Sequence, residues 1–237
     1  MASPAVEVAF ANARQYARQP INLVLLALIP PLFIIAMSSA IGTFSDVLGG
    51  NLGERAGTGL AGLWAASLLT GAATFFILRT SVRTDGRLIA AGLRSSSLGL
   101  AHATTAVALA TVTTAVSFSM LMLTQDVSKP ADLFGAILLA TLIYAALGIA
   151  LAWFIEGDLE GSFVIILVFM LDAFVGGPLG GGGGFFAGLF PVHFPSEIAV
   201  ASMVGASYKA EWLAWSGIYL LLLAGVSPLV IWWRSRQ

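Results

Sequence analysis

Residues 21–41 read INLVLLALIPPLFIIAMSSAI, without a single charge. A stretch of about 20 mainly apolar residues is what a helix needs to cross a bilayer. The pattern recurs. Comparable runs cover about 60–78, 103–123, 133–154 and 212–233, and another starts near 163 and runs into a glycine tract. Six spans are expected, with no connection long enough for a soluble domain. Only 10% of the residues are charged, against about 25% in an average soluble domain. So little charge cannot cover a water-soluble surface of this size. The predicted class is all-α, a polytopic membrane protein forming one transmembrane domain over 1–237.

Net charge is −1, which excludes a strongly basic nucleic-acid binder. The chain has no cysteine, so disulfides, thiolate metal sites and cysteine nucleophiles are excluded. Its two histidines, His102 and His193, make no metal-ligand spacing. The first 20 residues carry Glu7, Arg14 and Arg18 with no apolar core among them, which argues against a cleaved signal.

Basic residues orient the spans. With six crossings, one side holds Arg14, Arg18, Arg79, Arg83, Arg87, Arg94, Arg234 and Arg236, and the other holds Arg55, Lys129 and Lys209. Lys and Arg concentrate in cytoplasmic loops, so both termini are expected in the cytoplasm of a cell that carries this protein in its plasma membrane. Ahead of the first span, Val6, Ala9, Phe10, Ala13 and Ala17 recur at helical spacing, with Glu7, Arg14 and Arg18 opposite them. This predicts an amphipathic helix over 4–19 lying in the membrane interface, ended by Pro20. Pro30-Pro31 at mid-depth of the first span predicts a kink, serving as a hinge or as a shaped packing surface. Gly71, Ala72 and Ala73 in the second span, and Ala145, Ala146 and Gly148 in the fourth, predict close helix packing.

The connection from 79 to 102 is the most informative cytoplasmic piece. Thr84 or Asp85 suits the start of a short helix containing Arg87, Gly92 suits its end, and Ser95, Ser96 and Ser97 suit the start of the next span. Its arginines either obey the positive-inside rule or dock a cytoplasmic partner.

The stretch DAFVGGPLGGGGGFFAGLFP, from Asp172 to Pro191, could pass for a phosphate loop. A phosphate loop needs G-x-x-x-x-G-K-[ST], and no lysine lies between Lys129 and Lys209. The apolar residues from 163 to 175 are too few to cross, so the glycines of 176–184 are expected to break the fifth span. Non-helical backbone at that depth survives only when buried in protein or facing water. Asp172 sits within this span, where an ionisable group usually faces a cavity or partner. It would line the substrate path, attract a cation or exchange protons, unless it lies close enough to the interface to be hydrated. His193 and Glu197 are expected on the external surface, His102 at the cytoplasmic interface, and Trp212, Trp215, Trp232 and Trp233 in aromatic belts.

Four segments in order carry a family resemblance: RQYARQP before the first span, IPPLF within it, TDGRLIAAGLRSSSLGLAHA after the second, and GLFPVHFPSEIAVASMVGA after the fifth. Together they resemble the permease subunit of an ABC-2 type transporter, the type V ABC exporter fold. The fifth span of that family usually has fewer glycines after it, and Asp85 stands where many relatives carry Glu.

The resemblance implies a dimer, of two copies or of a permease and a paralogue, joined to cytoplasmic ATP-binding subunits. Those partners would bind the ATP and Mg; this chain would hold no cofactor and catalyse nothing. Docking would fall on Arg83, Asp85, Arg87 and Arg94, with Arg14 and Arg18 sharing the contact. A re-entrant or cap segment would occupy 176–211, with Asp172, Gly176, Gly177 and Pro178 as the substrate path or gate. The expected cargo is amphiphilic, a drug or lipid. The competing class is a stand-alone secondary transporter or channel working through Asp172, although such carriers often show paired broken helices and repeats.

Overall fold

A computed structural model describes residues 14, 18, 20–48, 50–92, 95–180 and 186–234. Among them there is no strand. Seven α-helices follow in order: α1 Pro20–Val47, α2 Glu54–Ala90, α3 Ser95–Thr124, α4 Pro130–Phe154, α5 Asp158–Leu171, α6 His193–Val204 and α7 Ala210–Arg234. A π-helical turn, Asp172–Gly176, prolongs α5. Two single 3-10 turns, Pro178–Gly180 and Ala187–Leu189, precede α6. Among the described residues, five helices are long and apolar enough to cross a membrane: α1 to α4, and α5 with its π turn. The chain has the make-up of a multi-pass membrane protein. The sixth expected span coincides with α7, whose apolar part within the described residues is Ala210–Val226.

Local chemistry sets the ends. Pro130 opens α4, where a missing N–H costs nothing, and Asp132 complements the positive end of its dipole. Gly205, at φ 76°, ends α6, and Gly92, at φ 96°, follows the last turn of α2. Both are left-handed positions that a side chain would strain. Pro30 and Pro31 lie inside the one helix α1. Neighbouring helices make such prolines tolerable in a membrane.

Two expectations need correction here. Residues 84–90 form no separate short helix, because α2 runs without interruption from Glu54 to Ala90. Thr80 and Ser81 return their hydroxyls to Ile77 O and Leu78 O, and so keep the helical path instead of capping a new one. The fifth span is also not short. It starts at Asp158 and reaches Gly176, 19 residues in all. Its first turn carries Asp158 and Glu160, acids favoured at a helix N-terminus.

α2 and α4 form the centre, packed on each other along their length. α1, α3 and α6 also lean on α2, and α3, α6 and α7 on α4. The core runs through Leu60, Leu63, Leu121, Leu133, Ile137 and Tyr144. Lipid tails are as apolar as leucine, so close packing and hydrogen bonds, not exclusion from water, must hold such a bundle. The small residues supply the first. A Cβ on Gly71 would lie 3.0 Å from the Tyr144 ring, and one on Gly148 would lie 3.1 Å from the carbonyl carbon of Gly71. Hydroxyls supply the second. Thr70 pairs with Thr113 at 2.6 Å and Thr114 with Thr141 at 2.9 Å. Ser117 donates to Gly62 O at 2.7 Å, and Thr74 to Ala145 O at 3.2 Å. Interhelical bonds of this kind average about 0.6 kcal/mol each.

Candidate functional site

The site grows from one carboxylate. Asp172 begins the π turn at the end of α5 and is 4% exposed. π turns are rare and frequently mark functional positions. A carboxylate so little exposed has to find donors within the protein. Tyr144, on the middle of α4, donates its hydroxyl to Asp172 Oδ2 at 3.0 Å. The Val192 backbone N–H donates to Asp172 Oδ1 at 3.2 Å. One side chain thereby joins α5, α4 and the start of α6. Among the described residues it forms no salt bridge, and no group of three potential metal ligands occurs.

The glycines after Asp172 allow this convergence. Gly176 is buried, and its carbonyl meets His193 Nδ1 at 2.6 Å. A Cβ on Gly176 would lie 2.9 Å from Phe190 Cγ and 3.0 Å from Asp172 Oδ1. A Cβ on Gly177 would lie 3.1 Å from the Trp64 ring. Pro178 starts the first 3-10 turn, in which Leu179 O accepts the Ser45 hydroxyl at 3.0 Å. Ser45 Oγ in turn accepts the Leu52 N–H at 3.3 Å, so the end of α1 joins the same assembly. From α7, Tyr219 donates to Gly188 O at 2.6 Å. Trp64 and Tyr144 each meet Phe169 edge-on, at 6.3 and 6.4 Å.

The four candidate gate residues are therefore together: Asp172, Gly176, Gly177 and Pro178 lie within one turn and its exit. The docking candidates stand elsewhere. Arg83 and Asp85 fall on the last turns of α2, and Arg87 there is exposed. Arg94 lies outside the described residues, as does most of the segment 4–19. Arg14 and Arg18 are exposed and linked by one helical hydrogen bond, Arg18 N to Arg14 O at 3.0 Å.

The expectation of a surface His193 and Glu197 is corrected. His193 is 7% exposed and Glu197 is half-buried, because α6 packs against both α2 and α4. Burial pushes the Glu197 carboxyl above the ordinary carboxylate range, and the charge of His193 partly opposes this. His102 is buried and lines a narrow cleft with Thr74, Thr105 and Ile149. Trp215 is half-exposed and stacks on Phe194, while Trp212 packs against the core.

Sequence reasoning missed Tyr144, Trp64 and the Val192 N–H. Tyr144 carried a usable signal. A tyrosine inside an otherwise aliphatic span needs a partner for its hydroxyl, and Asp172 needs donors. No known protein-family model matches the chain, and a search of curated proteins finds no significant match.

Proposed function

We propose that this chain is the transmembrane permease of an ATP-driven exporter of the ABC-2 type, working as a dimer in the plasma membrane with both termini cytoplasmic. In this reading α7 is the sixth span, residues 4–19 lie in the interface, and residues 176–211 form the re-entrant or cap segment. The observation that carries it is the broken segment between α5 and α7, folded back onto a buried acid at the end of the fifth long helix. The resemblance places a re-entrant segment at this point in the order of elements.

The cargo is amphiphilic, in keeping with the apolar make-up of the spans. A separate ATP-binding subunit docks on the end of α2 around Arg83, Asp85 and Arg87, with Arg94, Arg14 and Arg18 adding to the contact. ATP drives the cycle through its different affinity for the two states of the assembly. The secondary-transporter reading is less well supported, because Asp172 has both oxygens engaged by protein donors.

Affinity purification from native membranes tests the assignment. A soluble ATP-binding protein is expected to co-purify, and Arg83→Glu with Arg87→Glu is expected to abolish its stimulation while the permease stays folded. Transport that persists in ATP-depleted cells, with no such partner recovered, would refute the assignment.

A further inference from the structure

The segment between α5 and α7 is fastened differently at its two ends. At the far end, the α3–α4 connection grips the last turn of α6. Lys129 N–H donates to Ser202 O at 3.0 Å, Ser128 Oγ to Met203 O at 3.1 Å, and Lys129 Nζ to Ala206 O at 2.8 Å. The first two satisfy carbonyls that a helix end leaves unpaired, and the third sets the Lys129 cation just past the negative end of the dipole. Ile198, Ala199 and Met203 of α6 are buried in the main core. At the near end, among the described residues, the polar ties to the α5 end are the Val192–Asp172 bond and the His193–Gly176 contact, while Asp172 is also held by Tyr144 of α4. α5 packs less on α2 and α4 than α6 does, and Phe163, Ile166, Leu167 and Met170 stay exposed along it.

We propose that Asp172 is a latch. α6 is a fixed part of the α2–α4 block, and the end of α5 swings away when Asp172 parts from Tyr144 and Val192. A carboxyl parted from its donors at this depth needs water, so opening and wetting of the joint occur together. That gives two discrete states, closed and dry or open and wet. The inference deepens the gate reading above and rests on it only for what passes when the joint opens.

The natural absence of cysteine makes the test clean. Two single-cysteine reporters are placed, A173C in the π turn (4% exposed) and A199C in α6 (0% exposed). Each is labelled with a water-soluble maleimide in nanodiscs, where both membrane faces are open and no ATP-binding subunit is present. Tyr144→Phe removes one hydroxyl and keeps the ring. Losing a buried hydrogen bond of this kind is expected to speed labelling of A173C about tenfold and to leave A199C unchanged. Gly176→Ala wedges the same joint against Phe190 and crowds Asp172 Oδ1 without removing a polar group, and is expected to act likewise.

Equal acceleration of both reporters would show α6 leaving with α5 and overturn the proposal. So would no acceleration in variants that keep native helicity. In the natural chain, amide exchange over 172–176 is expected to be faster than over 196–204, and the reverse order would also overturn it. None of these readouts depends on a partner or on transport, so a failed co-purification and a failed latch remain separate results.

Discussion

Gly148→Ala puts one methyl group where α2 and α4 pass closest. A Cβ there would lie 3.1 Å from Gly71 C and still deeper inside contact with Gly71 O and Thr74 Oγ1. Carbon contacts are ordinarily about 3.5–4.0 Å, so the two helices would have to part or tilt. The obstacle is a backbone carbonyl, which has no rotamer to change. Overpacking of this kind costs about 1–3 kcal/mol, and a rigid obstacle argues for the upper half. The Thr74 bond to Ala145 O, at 3.2 Å, would be lost with the separation, for about 0.6 kcal/mol. Against this, alanine is about 1 kcal/mol better than glycine inside a helix. The net expectation is a loss of about 2 kcal/mol, or roughly 4–8 °C in Tm for a chain of this size. Gly135→Ala is the control on the same helix. A Cβ there meets nothing within 4 Å, so only the helical gain of up to about 1 kcal/mol remains. Thermal unfolding of both variants in one detergent, at one protein concentration, reads the difference. A Gly148→Ala protein as stable as Gly135→Ala would refute the close-crossing account of how α2 and α4 associate.

Two further expectations concern packing and charge. A Cβ on Gly161 would fall on the ring of Phe75, which is fully buried, so Gly161→Ala should destabilise and Phe75→Leu in the same chain should recover part of the loss. The coupling measured in a double-mutant cycle should exceed about 0.5 kcal/mol, and additive effects would count against the contact. For Glu197, the folded carboxyl is raised above its unfolded value, so the native state holds the proton more tightly. Its contribution is present in acid and is lost as pH rises through the folded value. Glu197→Gln should therefore raise thermal stability at alkaline pH and match the natural protein in acid; a gain that is the same at every pH would exclude burial of the charge as its cause.

The long helices were legible because membrane spans announce themselves residue by residue. The run from 21 to 41 needs no partner to be recognised, and Pro130 and Gly205 carry their own boundary chemistry. Boundaries that depend on competition were less legible. Thr84 or Asp85 looks like a helix start, yet a growing helix extends more cheaply than a new one nucleates, and the glycine at 86 costs only about 1 kcal/mol. Asp158 and Glu160 look like loop charges, but the dipole of α5 accepts them in its first turn. The node at Asp172 was half legible. The lone acid was visible, and so was the glycine tract that lets backbone approach it. What linked it to Tyr144 was a contact across 28 positions, which periodicity does not reveal. His193 and Glu197 sit in a turn-rich stretch and read as surface; only the packing of α6 against α2 and α4 buries them.

The length of α2 has a mechanical consequence. At 37 residues it measures about 55 Å, well beyond the ~30 Å hydrocarbon core it enters. Its tight crossing with α4 at Gly71 makes a natural fulcrum. From Gly71 it is about 28 Å to Ala90 and about 26 Å to Glu54, two arms of nearly equal length. A sideways push at Ala90 would return near Glu54 with almost its full size and the opposite direction. That far arm bears on Met203 of α6 through Gly59 and on the end of α1 through Gly57. At the fulcrum itself sits Tyr144, holding Asp172. A lever of this form delivers large movement to its tips and rotation without travel to its pivot. The hydroxyl at the pivot is therefore placed to feel a change of angle while α6, against the far arm, feels a displacement.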